Sequence, residues 1–452
     1  MPESAKGCDE LLSQLTLFGI RLGLDSTRKL LDRLGNPHLA TPAVLIAGTN
    51  GKGSTAALLA SMATASGYRT GLYTSPHLEE VEERIRLDGL SIEEKPLRAL
   101  LERILDASHQ AGFPPPTYFE ALTVAAWLFF AESKADLAIL EVGLGGRLDA
   151  TNACHPILSL ITEISLDHQQ HLGTTLSAIA REKAGIFRTG RPALAWTEAT
   201  EAQAQLVASA KETQTPLELT HSTTTVIEKG LQQLLLADEG QAQGQHLLVT
   251  TPLNAYDLEL SLKGHHQRHN LALAVRAAEV LETQGWGSFD SQTIERGVAA
   301  CRWPGRLEAV SLPNGQQVLL DAAHNPDGAQ NLADFLGNID GELTLVFGVV
   351  DDKDVPGILG PLLPLAQRVI LTMATSDRAL PPRAILELAP LAEANTSLEP
   401  NLEAALEIAL SAPTSTLVIC GSIFLVGPAR KSLRRRFGMP PAPTSIRLGA
   451  EP

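Results

Sequence analysis

A glycine-rich loop between a strand pattern and a helix pattern constrains this chain more than any other feature. The buried-strand pattern at 44–47 leads directly into the loop GTNGKGS at 48–54, and an Ala- and Leu-rich helix pattern follows to about Gly67. Such a loop points backbone N–H groups and the positive end of a helix at one place, to which Lys52 adds a mobile charge. The segment therefore predicts a phosphate-binding loop that opens a βαβ unit and suits a triphosphate.

The loop departs from the strict Walker pattern. That pattern has four residues between its glycines and Ser or Thr directly after Lys, whereas only Thr49 and Asn50 separate Gly48 from Gly51 here. A plain glycine turn with an exposed lysine is the simpler alternative, and the strand–loop–helix order argues against it. A GTPase is the sharper rival, but the chain has no NKxD tetrapeptide that could read guanine.

The rest of the first 300 residues alternates between strand and helix patterns. This alternation predicts an α/β fold, with an N-terminal, P-loop-containing domain whose mostly parallel sheet is covered by helices. Residues 198–260 are rich in Gln, Thr and Glu, and we expect them to form a small β-rich insertion or edge. The strand-like runs lie at 70–74, 137–142, 157–164 and 192–196, and the helical patterns lie at 93–110, 118–132 and 175–187.

A second alternation begins at Val318 and predicts a smaller, C-terminal, Rossmann-like α/β domain. A Pro-Gly turn at 304–305 places the boundary nearby, so we expect domains at 1–302 and 303–437. The Pro-containing residues 438–452 are predicted to be a disordered tail. The strand-like runs of the second domain lie at 318–322, 343–349, 368–371 and 416–420.

Composition and charge exclude several classes of protein. The 452 residues carry 36 Lys and Arg against 51 Asp and Glu, and the net charge of −15 disfavours nonspecific binding to nucleic acid or anionic lipid. The four cysteines are scattered singly and indicate neither a zinc site nor a disulfide framework. Because no apolar run is long enough to span a membrane and residues 1–30 lack a signal-peptide pattern, we expect a soluble cytoplasmic protein.

Two carboxylates at predicted strand ends are candidates for ligand binding. Glu141 closes an apolar strand pattern beside the glycine loop, where a Mg²⁺ ion bound to phosphates would take a protein ligand; a structural Glu is the alternative. Asp321 ends another strand pattern, for which an Asx-Pro turn is the alternative. Three further segments are ambiguous when taken singly: LDH at 166–168, REKAGIF at 181–187 and PGR at 304–306.

Together these motifs resemble one family, the folylpolyglutamate synthase and dihydrofolate synthase branch of the Mur ligases. The resemblance covers roughly residues 20–430, and GVVDDKD at 348–354 only approximates the GxxxDKD segment of that family. The matching motifs, in family order, are GTNGKGS at 48–54, TSPHL at 74–78, TYFEALT at 117–123, EVGLGGRLDATN at 141–152, LDH at 166–168, REKAGIF at 181–187, HN at 269–270, PGR at 304–306 and DAAHNP at 321–326.

In that family ATP phosphorylates a substrate carboxylate to an acyl phosphate, and the amine of L-glutamate displaces the phosphate to form an amide. The resemblance implies an ATP-dependent acid–amino-acid ligase, and we expect it to act on both dihydropteroate and tetrahydrofolate or its polyglutamates. A folylpolyglutamate synthase without the dihydropteroate activity is the first alternative. The implied partners are small molecules, namely ATP, L-glutamate, dihydropteroate and reduced folates, with no nucleic acid, no membrane and a monomeric chain.

The resemblance also implies the nucleotide and metal contacts. Lys52, Lys183 and His324 are the implied catalytic residues. ATP would be bound by Thr49, Asn50, Gly51, Lys52, Gly53, Ser54, Asn270, Arg306 and Asp321. Mg²⁺, with two ions expected, would be bound by Ser75, Glu141, His168 and Lys183, the last as an N6-carboxylated lysine, which is a carbamate.

The pterin substrate and the glutamate are assigned by the same resemblance. Tyr118 and Phe119 offer flat apolar faces on which a pterin or benzoyl ring can stack, although without the family match they would be taken for core aromatics. Ser422 matches a position near the glutamate. The implied substrate residues are Leu22, Gly23, Leu24, Thr117, Tyr118, Phe119, Glu120, Leu148, Asp149, Ala150 and Ser422.

Two further functions remain open from the residues. Another Mur-type ligase acting on a UDP-muramyl peptide would want an additional N-terminal domain, and only about 40 residues precede the glycine loop. A nucleotide-binding switch without catalysis would keep the loop but would not need Glu141, His168, Lys183 and His324 together. The joint presence of these four residues favours catalysis.

Overall fold

The computed structural model describes residues 7–16, 21, 23–110, 115–229, 244–389, 395–411 and 416–438. Leu22 and residues 439–452 of the predicted tail lie outside the described residues. The described strands are β1 Ala43–Ala47, β2 Thr70–Tyr73, β3 Ile85–Leu87, β4 Leu90–Ser91, β5 Leu137–Glu141, β6 Leu158–Ile161, β7 Ala193–Ala195, β8 Leu217–Leu219, β9 Thr225–Glu228, β10 Gln245–Thr250, β11 Ala255–Leu260, β12 Glu308–Ser311, β13 Gln317–Leu320, β14 Leu343–Phe347, β15 Arg368–Leu371, β16 Thr396–Leu398 and β17 Thr416–Cys420.

The described α-helices are α1 Cys8–Thr16, α2 Asp25–Arg33, α3 Lys52–Ala65, α4 Glu94–Gln110, α5 Tyr118–Glu132, α6 Gln169–Leu172, α7 Leu176–Lys183, α8 Thr200–Thr213, α9 His266–Thr283, α10 Ser291–Ala300, α11 Pro326–Leu336, α12 Val355–Leu362, α13 Pro382–Leu388, α14 Leu402–Leu410 and α15 Ile423–Phe437. None of these helices is both long and apolar enough to cross a membrane.

The first sheet has eight strands in the order β4-β3-β2-β5-β1-β6-β7-β8. The six strands from β2 to β8 in this order run parallel, and only β3 and β4 at one edge are antiparallel. Strand β1 is buried on both faces: Val44 and Ile46 join one apolar cluster with α3 and α9, while Leu45 joins the other with α5. This arrangement explains why the strand is a continuous apolar run.

Residues 198–260 are only partly the β-rich insertion that the sequence predicts. Their first part forms the 14-residue helix α8, and β8 then extends the parallel sheet. Strands β9 to β11 form a separate antiparallel sheet, whose inward residues Leu247, Val249 and Leu258 pack in the same cluster as α3 and α9. The prediction was wrong for α8 because Gln and Thr obscure a helix whose buried contacts are only Ala202, Leu206 and a few small residues.

The second sheet has six strands in the order β12-β13-β17-β14-β15-β16. It is parallel except for β12, which pairs antiparallel with β13. The predicted start at Val318 is therefore late, since the sheet begins at Glu308, and β16 was not predicted at all. Apolar clusters cover both faces of this sheet, as in the mostly parallel α/β architecture expected from the sequence.

The first sheet and the antiparallel sheet β9 to β11, with helices α1 to α10, are called the first unit. The second sheet, β12 to β17, with helices α11 to α15, is called the second unit. The predicted domain limits 1–302 and 303–437 stay predictions. In each unit the parallel strands end at one edge, and the polar residues that follow those ends are available for ligand binding. Ser75 follows β2, Glu141 ends β5 and Asp321 follows β13.

Candidate active site

A cavity of about 450 Å³ lies between the two units and is lined by residues from both. It is bounded by the glycine loop, by residues that follow the ends of the first sheet, and by the start of α11 in the second unit. The predicted site residues that line it are Thr49, Asn50, Gly51, Lys52, Gly53, Ser54, Ser75, Glu141, His168, Lys183, Asn270, Arg306, Asp321 and His324. The structure thus brings together every predicted ATP and metal residue.

Two positions of the glycine loop have room for no side chain. A Cβ at Gly48 would lie 1.8 Å from Oγ1 of Thr162, and one at Gly51 would lie 2.1 Å from Oδ1 of Asn270. Gly51 also has a φ of +84°, a conformation that L-residues with a side chain seldom adopt. The loop therefore packs closely against Thr162 and Asn270. Its backbone N–H groups at the start of α3 are available to bind an anion.

Two lysines donate hydrogen bonds to the glycine loop: the partly buried Lys52 of the loop itself and the buried Lys183 at the end of α7. Lys52 donates hydrogen bonds to the carbonyl oxygens of Thr49 at 2.9 Å and Gly48 at 3.2 Å, and Lys183 donates to that of Gly48 at 2.6 Å. Neither amine forms an ion pair with a described carboxylate. Burial lowers the pKa of Lys52, and burial followed by the charge of Lys52 lowers the pKa of Lys183 well below its usual range. The site is rich in N–H donors and is suited to anions.

Two of the predicted metal ligands, Ser75 and Glu141, meet where β2 and β5 end. The backbone N–H of Ser75 donates to Oε2 of Glu141 at 3.0 Å, and burial raises the pKa of this carboxyl group. Burial lowers the pKa of His168 to about 4, so its imidazole is neutral near pH 7, as metal ligation requires. No three His, Cys, Asp or Glu in the described ranges converge as a metal site. A hard cation would therefore need additional oxygens, which phosphates and a carboxylated Lys183 could supply.

A second charged group closes the cavity on one side and was missed by the sequence analysis. Asp167, in the first unit, accepts hydrogen bonds from Lys353 at 2.6 Å and Asn325 at 3.3 Å, and its Oδ2 is 3.5 Å from Nε2 of His324. These four residues are called the Asp167 cluster. The signal was close by, since Asp167 precedes His168 in LDH, Asn325 follows His324, and Lys353 belongs to GVVDDKD.

The cluster fixes the charge of its central carboxylate. Burial alone would raise the pKa of Asp167, but protonated His324, through a hydrogen bond and its charge, and the charges of protonated His168 and of Lys353 hold it well below its usual range. Asn50 adds hydrogen bonds between the units, because its amide donates to the carboxylate of Asp327 at 2.6 Å and accepts from Asn325 at 3.0 Å. The glycine loop and α11 are thereby tied together across the cavity.

The predicted nucleotide residues of the second unit are held by backbone contacts. Asp321 accepts from the N–H groups of Leu307 at 2.8 Å and Ala323 at 2.9 Å, and burial raises its pKa. Arg306 makes one long hydrogen bond, 3.4 Å to the carbonyl oxygen of Ala322, so its guanidinium has donors to spare for an anion. Both side chains line the cavity opposite the glycine loop.

The predicted pterin residues do not line this cavity but form a separate patch. The N–H of Gly23 donates to the carbonyl oxygen of Leu148 at 3.4 Å, which joins the 23–24 segment to the 148–150 turn. Arg84 lies over the ring of Tyr118, 5.1 Å from its centre, and connects the patch to the segment after Ser75. The patch therefore gathers the predicted residues from three separate stretches of the chain, and its described part also includes Leu24 and Ala150.

Several residues of that patch already have structural partners. Thr117 caps α5 and exchanges hydrogen bonds with Glu120, at 2.7 and 3.2 Å. Asp149 accepts from the N–H groups of Leu144 and Thr151, and so shapes the turn after β5. The ring of Phe119 packs at Gly143, where a Cβ would lie 2.5 Å away. Ser422 caps α15 through the N–H of Phe424, and it does not line the cavity.

A second contact between the units lies at the start of the 78–80 segment. Glu79 of the first unit pairs with Arg430 and Arg434 of α15, and Arg430 also donates to Glu308 at 2.9 and 3.0 Å. These four residues are called the Glu79 cluster. The side chains of Glu79 and Arg430 are each 1% exposed. Sequence analysis gave no sign of this cluster, because its members belong to distant segments.

The fold and the cavity define a class of protein: a P-loop nucleotide-binding protein whose site is shared between two α/β units. Two family models match the chain, the Mur ligase middle domain over residues 46–278 and the Mur ligase glutamate ligase domain over residues 305–423. The chain therefore belongs to the Mur ligase family, in its dihydrofolate synthase and folylpolyglutamate synthase branch, as the relatives below indicate.

Three relatives illustrate the similarity. The dihydrofolate synthase/folylpolyglutamate synthase of Bacillus subtilis is 32% identical over 424 residues, which are 92% of this chain and 96% of that protein. A structure of E. coli FolC in complex with DHPP and ADP is similar with a TM-score of 0.83 and 30% identity, over 96% of this chain and all of the other. A bifunctional folylpolyglutamate synthase/dihydrofolate synthase with Mn, AMPPNP and L-glutamate bound is similar with a TM-score of 0.82 and 28% identity, over 96% and 99% of the two chains.

Proposed function

We propose that the protein is an ATP-dependent ligase that joins L-glutamate to folates. Its acceptors are dihydropteroate, which gives dihydrofolate, and tetrahydrofolate or its polyglutamates, which are extended by γ-glutamyl linkage. The relatives with this pair of activities support the assignment over most of the chain length. The observation that carries it is the shared cavity, in which the glycine loop, two low-pKa lysines and the Asp167 cluster face one another.

The first step transfers the γ-phosphoryl group of ATP to the acceptor carboxylate and releases ADP. The N–H groups at the start of α3 and Lys52 bind the phosphates, and Arg306 approaches them from the second unit. Asp321 accepts hydrogen bonds from the ribose hydroxyls. Holding both anions in line between two fixed units lowers the entropic part of the barrier.

A divalent metal fits the donor set of this cavity. When bound, Mg²⁺ would neutralise charge on the phosphates; Ser75, Glu141 and His168 are the residues that would hold it. Lys183 is suited to carboxylation because a neutral amine is the form that adds CO₂. The addition forms a C–N bond and releases one proton, which turns the amine into a carbamate anion. The lowered pKa of Lys183 and the 3% exposure of this residue support the carboxylation proposal.

In the second step the amine of L-glutamate attacks the carbonyl carbon of the acyl phosphate, phosphate leaves, and the amine loses a proton. His324 is the residue we propose as the proton acceptor. Its Nδ1 lies 2.9 Å from the carbonyl oxygen of Ala322, so an Nδ1–H tautomer leaves Nε2 available. Asp167, 3.5 Å from Nε2, would stabilise the resulting imidazolium. The helix end capped by Ser422 is the part of the second unit that we propose binds a carboxylate of glutamate.

The acceptor ring is proposed to bind at the separate patch beside the cavity. Tyr118 and Phe119 lie at the start of α5, and the turn at 148–150 follows β5, the strand that ends at Glu141. An acceptor bound across this patch can extend its carboxylate toward Ser75 and Glu141. Cytoplasmic location and a monomeric state remain predictions.

The function is tested by measuring ATP- and glutamate-dependent phosphate release with dihydropteroate and with tetrahydrofolate separately. Turnover with both is expected. Turnover with tetrahydrofolate alone would assign the folylpolyglutamate synthase activity only. If neither acceptor is used, the proposal is wrong, and other Mur-type acceptors should be tried.

A further inference from the structure

The loop that follows β2 enters the second unit rather than resting on its surface. Leu78 packs beside the apolar cluster of the second sheet that contains Val426. A Cβ at Gly427 would lie 1.7 Å from the carbonyl oxygen of Leu78, and one at Gly305 would lie 2.9 Å from its side chain. Backbone of the first unit therefore lies directly against α15, with no space for a side chain between them.

The Glu79 cluster fastens this loop electrostatically. Arg430 lies between Glu79 of the first unit and Glu308 of the second, and Arg434 approaches Glu79 from the solvent side. Two carboxylates and two guanidinium groups balance in charge. A paired and fully hydrogen-bonded charge can remain buried, but it resists separation, because each partner would then be stranded without water.

The loop is also ordered from within the first unit. The side chain of Glu83 accepts hydrogen bonds from the N–H groups of Leu78 at 2.9 Å and of Glu79 and Glu80 at 3.0 Å. These hydrogen bonds restrict the conformation of the loop. It begins at Ser75, whose N–H is bonded to Glu141 in the cavity, and it ends in the Glu79 cluster.

The same geometry connects the loop to the other end of the site. Helix α15 begins just after Ser422, and Arg430 lies eight residues further, about 12 Å along the helix axis at 1.5 Å per residue. Ser75 and Ser422 are therefore joined through two stiff elements that meet at the Glu79 cluster. By contrast, the Asp167 cluster joins the units through polar side chains that border the cavity.

We propose that Glu79 and Arg430 are positioning residues: their buried ion pair is the pivot about which the units reorient, and it keeps Ser75 in register with Ser422 while the Asp167 cluster opens. Neither side chain lines the cavity, so both act through the loop and the helix. The kinetic part of the inference rests on the proposed function, whereas the geometric part does not.

The geometric test measures the distance between the units. Cysteines introduced at the exposed positions Glu102, on α4, and Gln330, on α11, would carry spin labels; the four native cysteines are buried. Glu79→Gln removes the interdomain charge but leaves Arg430 paired with Glu308, and it should broaden the distance distribution. Glu80→Gln is the matched control, since Glu80 pairs with Lys431 of the same helix at the exposed surface, at 2.7 Å. An unchanged distribution for Glu79→Gln would overturn the pivot.

The kinetic test separates positioning from stability. Glu79→Gln should lower kcat about tenfold, since misplacement of reacting groups by a fraction of an ångström is costly, while KM for ATP stays within about twofold. Glu79→Asp keeps the charge and should recover most of kcat, and Glu80→Gln should match the wild type. A lower unfolding midpoint with unchanged kcat would show that the pair contributes only to stability, which would contradict the proposal. If the wild type does not ligate glutamate, the distance measurement still decides about the pivot.

Discussion

The active-site cavity and the Glu79 cluster both bury positive charge, and they do so in opposite ways. Lys183 in the cavity is 3% exposed, and among the described residues its amine has only a carbonyl oxygen as hydrogen-bond partner; burial, followed by the charge of Lys52, lowers its pKa. Arg430 is 1% exposed, and although burial would lower its pKa, hydrogen bonds and charges from Glu308 and Glu79 raise it. A buried cation without a carboxylate partner can bind an incoming anion, whereas a buried cation that is already paired with carboxylates stabilises the fold.

The largest expected effect tests the cavity side of this comparison. Lys52→Ala should reduce kcat/KM for ligation by about 10³- to 10⁵-fold. The mutation removes the ammonium group that stabilises the negative charge of the transferred phosphoryl group in a water-poor site. Steady-state phosphate release measures the loss. Lys211→Ala, an exposed lysine on α8, is the control and should behave as the wild type. Near-normal activity of the Lys52 variant would contradict its assignment.

The next effect tests the structural side. Arg430→Met should lower the free energy of unfolding by about 3 to 5 kcal/mol, because it leaves the buried carboxylates of Glu79 and Glu308 without their shared partner. Urea unfolding measures the change. Arg435→Met is the matched control on the same helix: Arg435 is 75% exposed in its pair with Glu403, and its loss should cost less than about 1 kcal/mol. An equal loss of unfolding free energy in the two variants would show that the buried pairs of Arg430 stabilise the fold no more than the exposed pair of Arg435.

Lys183→Met separates activity from stability at one position. Loss of the carbamate should lower kcat by about 100-fold, in the range seen when groups that support a metal are removed. The free energy of unfolding should not fall by more than about 1 kcal/mol, because the lost partner is a single carbonyl oxygen. With ¹³CO₂ present, the wild type should show a carbamate ¹³C signal that Lys183→Met lacks; the same signal in both would place the carbamate elsewhere.

The smallest effect is a pH dependence of stability. In the folded state Lys183 is neutral over a range in which the unfolded chain keeps it protonated, up to its ordinary pKa of about 10.4. The unfolded state then binds more protons, so stability rises with pH by at most about 1.4 kcal/mol per unit for this group. In CO₂-free, metal-free buffer, the free energy of unfolding of the wild type should gain on that of Lys183→Met as the pH rises toward 9, by no more than this slope. Parallel curves for the two proteins would show that Lys183 keeps its charge on folding.

The sequence predicted what depends on neighbouring residues. Strand β1, the glycine loop and α3 follow one another in the chain, and each has a local pattern. Helix α5 begins at Tyr118 and ends at Glu132, as predicted, and its start is marked by the Thr117 and Glu120 capping box. Glu141 ends its strand as expected, and the polar strand ends do meet in the cavity.

What the sequence did not predict depends on distant residues. Asp167 and Lys353 are 186 positions apart, so nothing near either residue indicates their pairing. Helix α8 was taken for part of a β-rich region because its polar composition hides a narrow buried face. Strand β12 was missed because it lies at the edge of the second sheet, where β13, antiparallel to it, is its one partner among the described strands. Placement of the pterin patch beside the cavity likewise came from packing, and the roles of its residues stay predictions.

The Glu79 cluster also has a consequence for how the chain is made on the ribosome. Glu79 emerges early, and Arg430 is the 351st residue synthesised after it. During that interval the first unit can fold, since its sheet is built from residues up to Leu219 and its helices end at Ala300. Glu79 stays hydrated and Leu78 stays uncovered until α15 is complete. The loop that carries Leu78 and Glu79 therefore stays exposed on the first unit until α15 has formed and covers it.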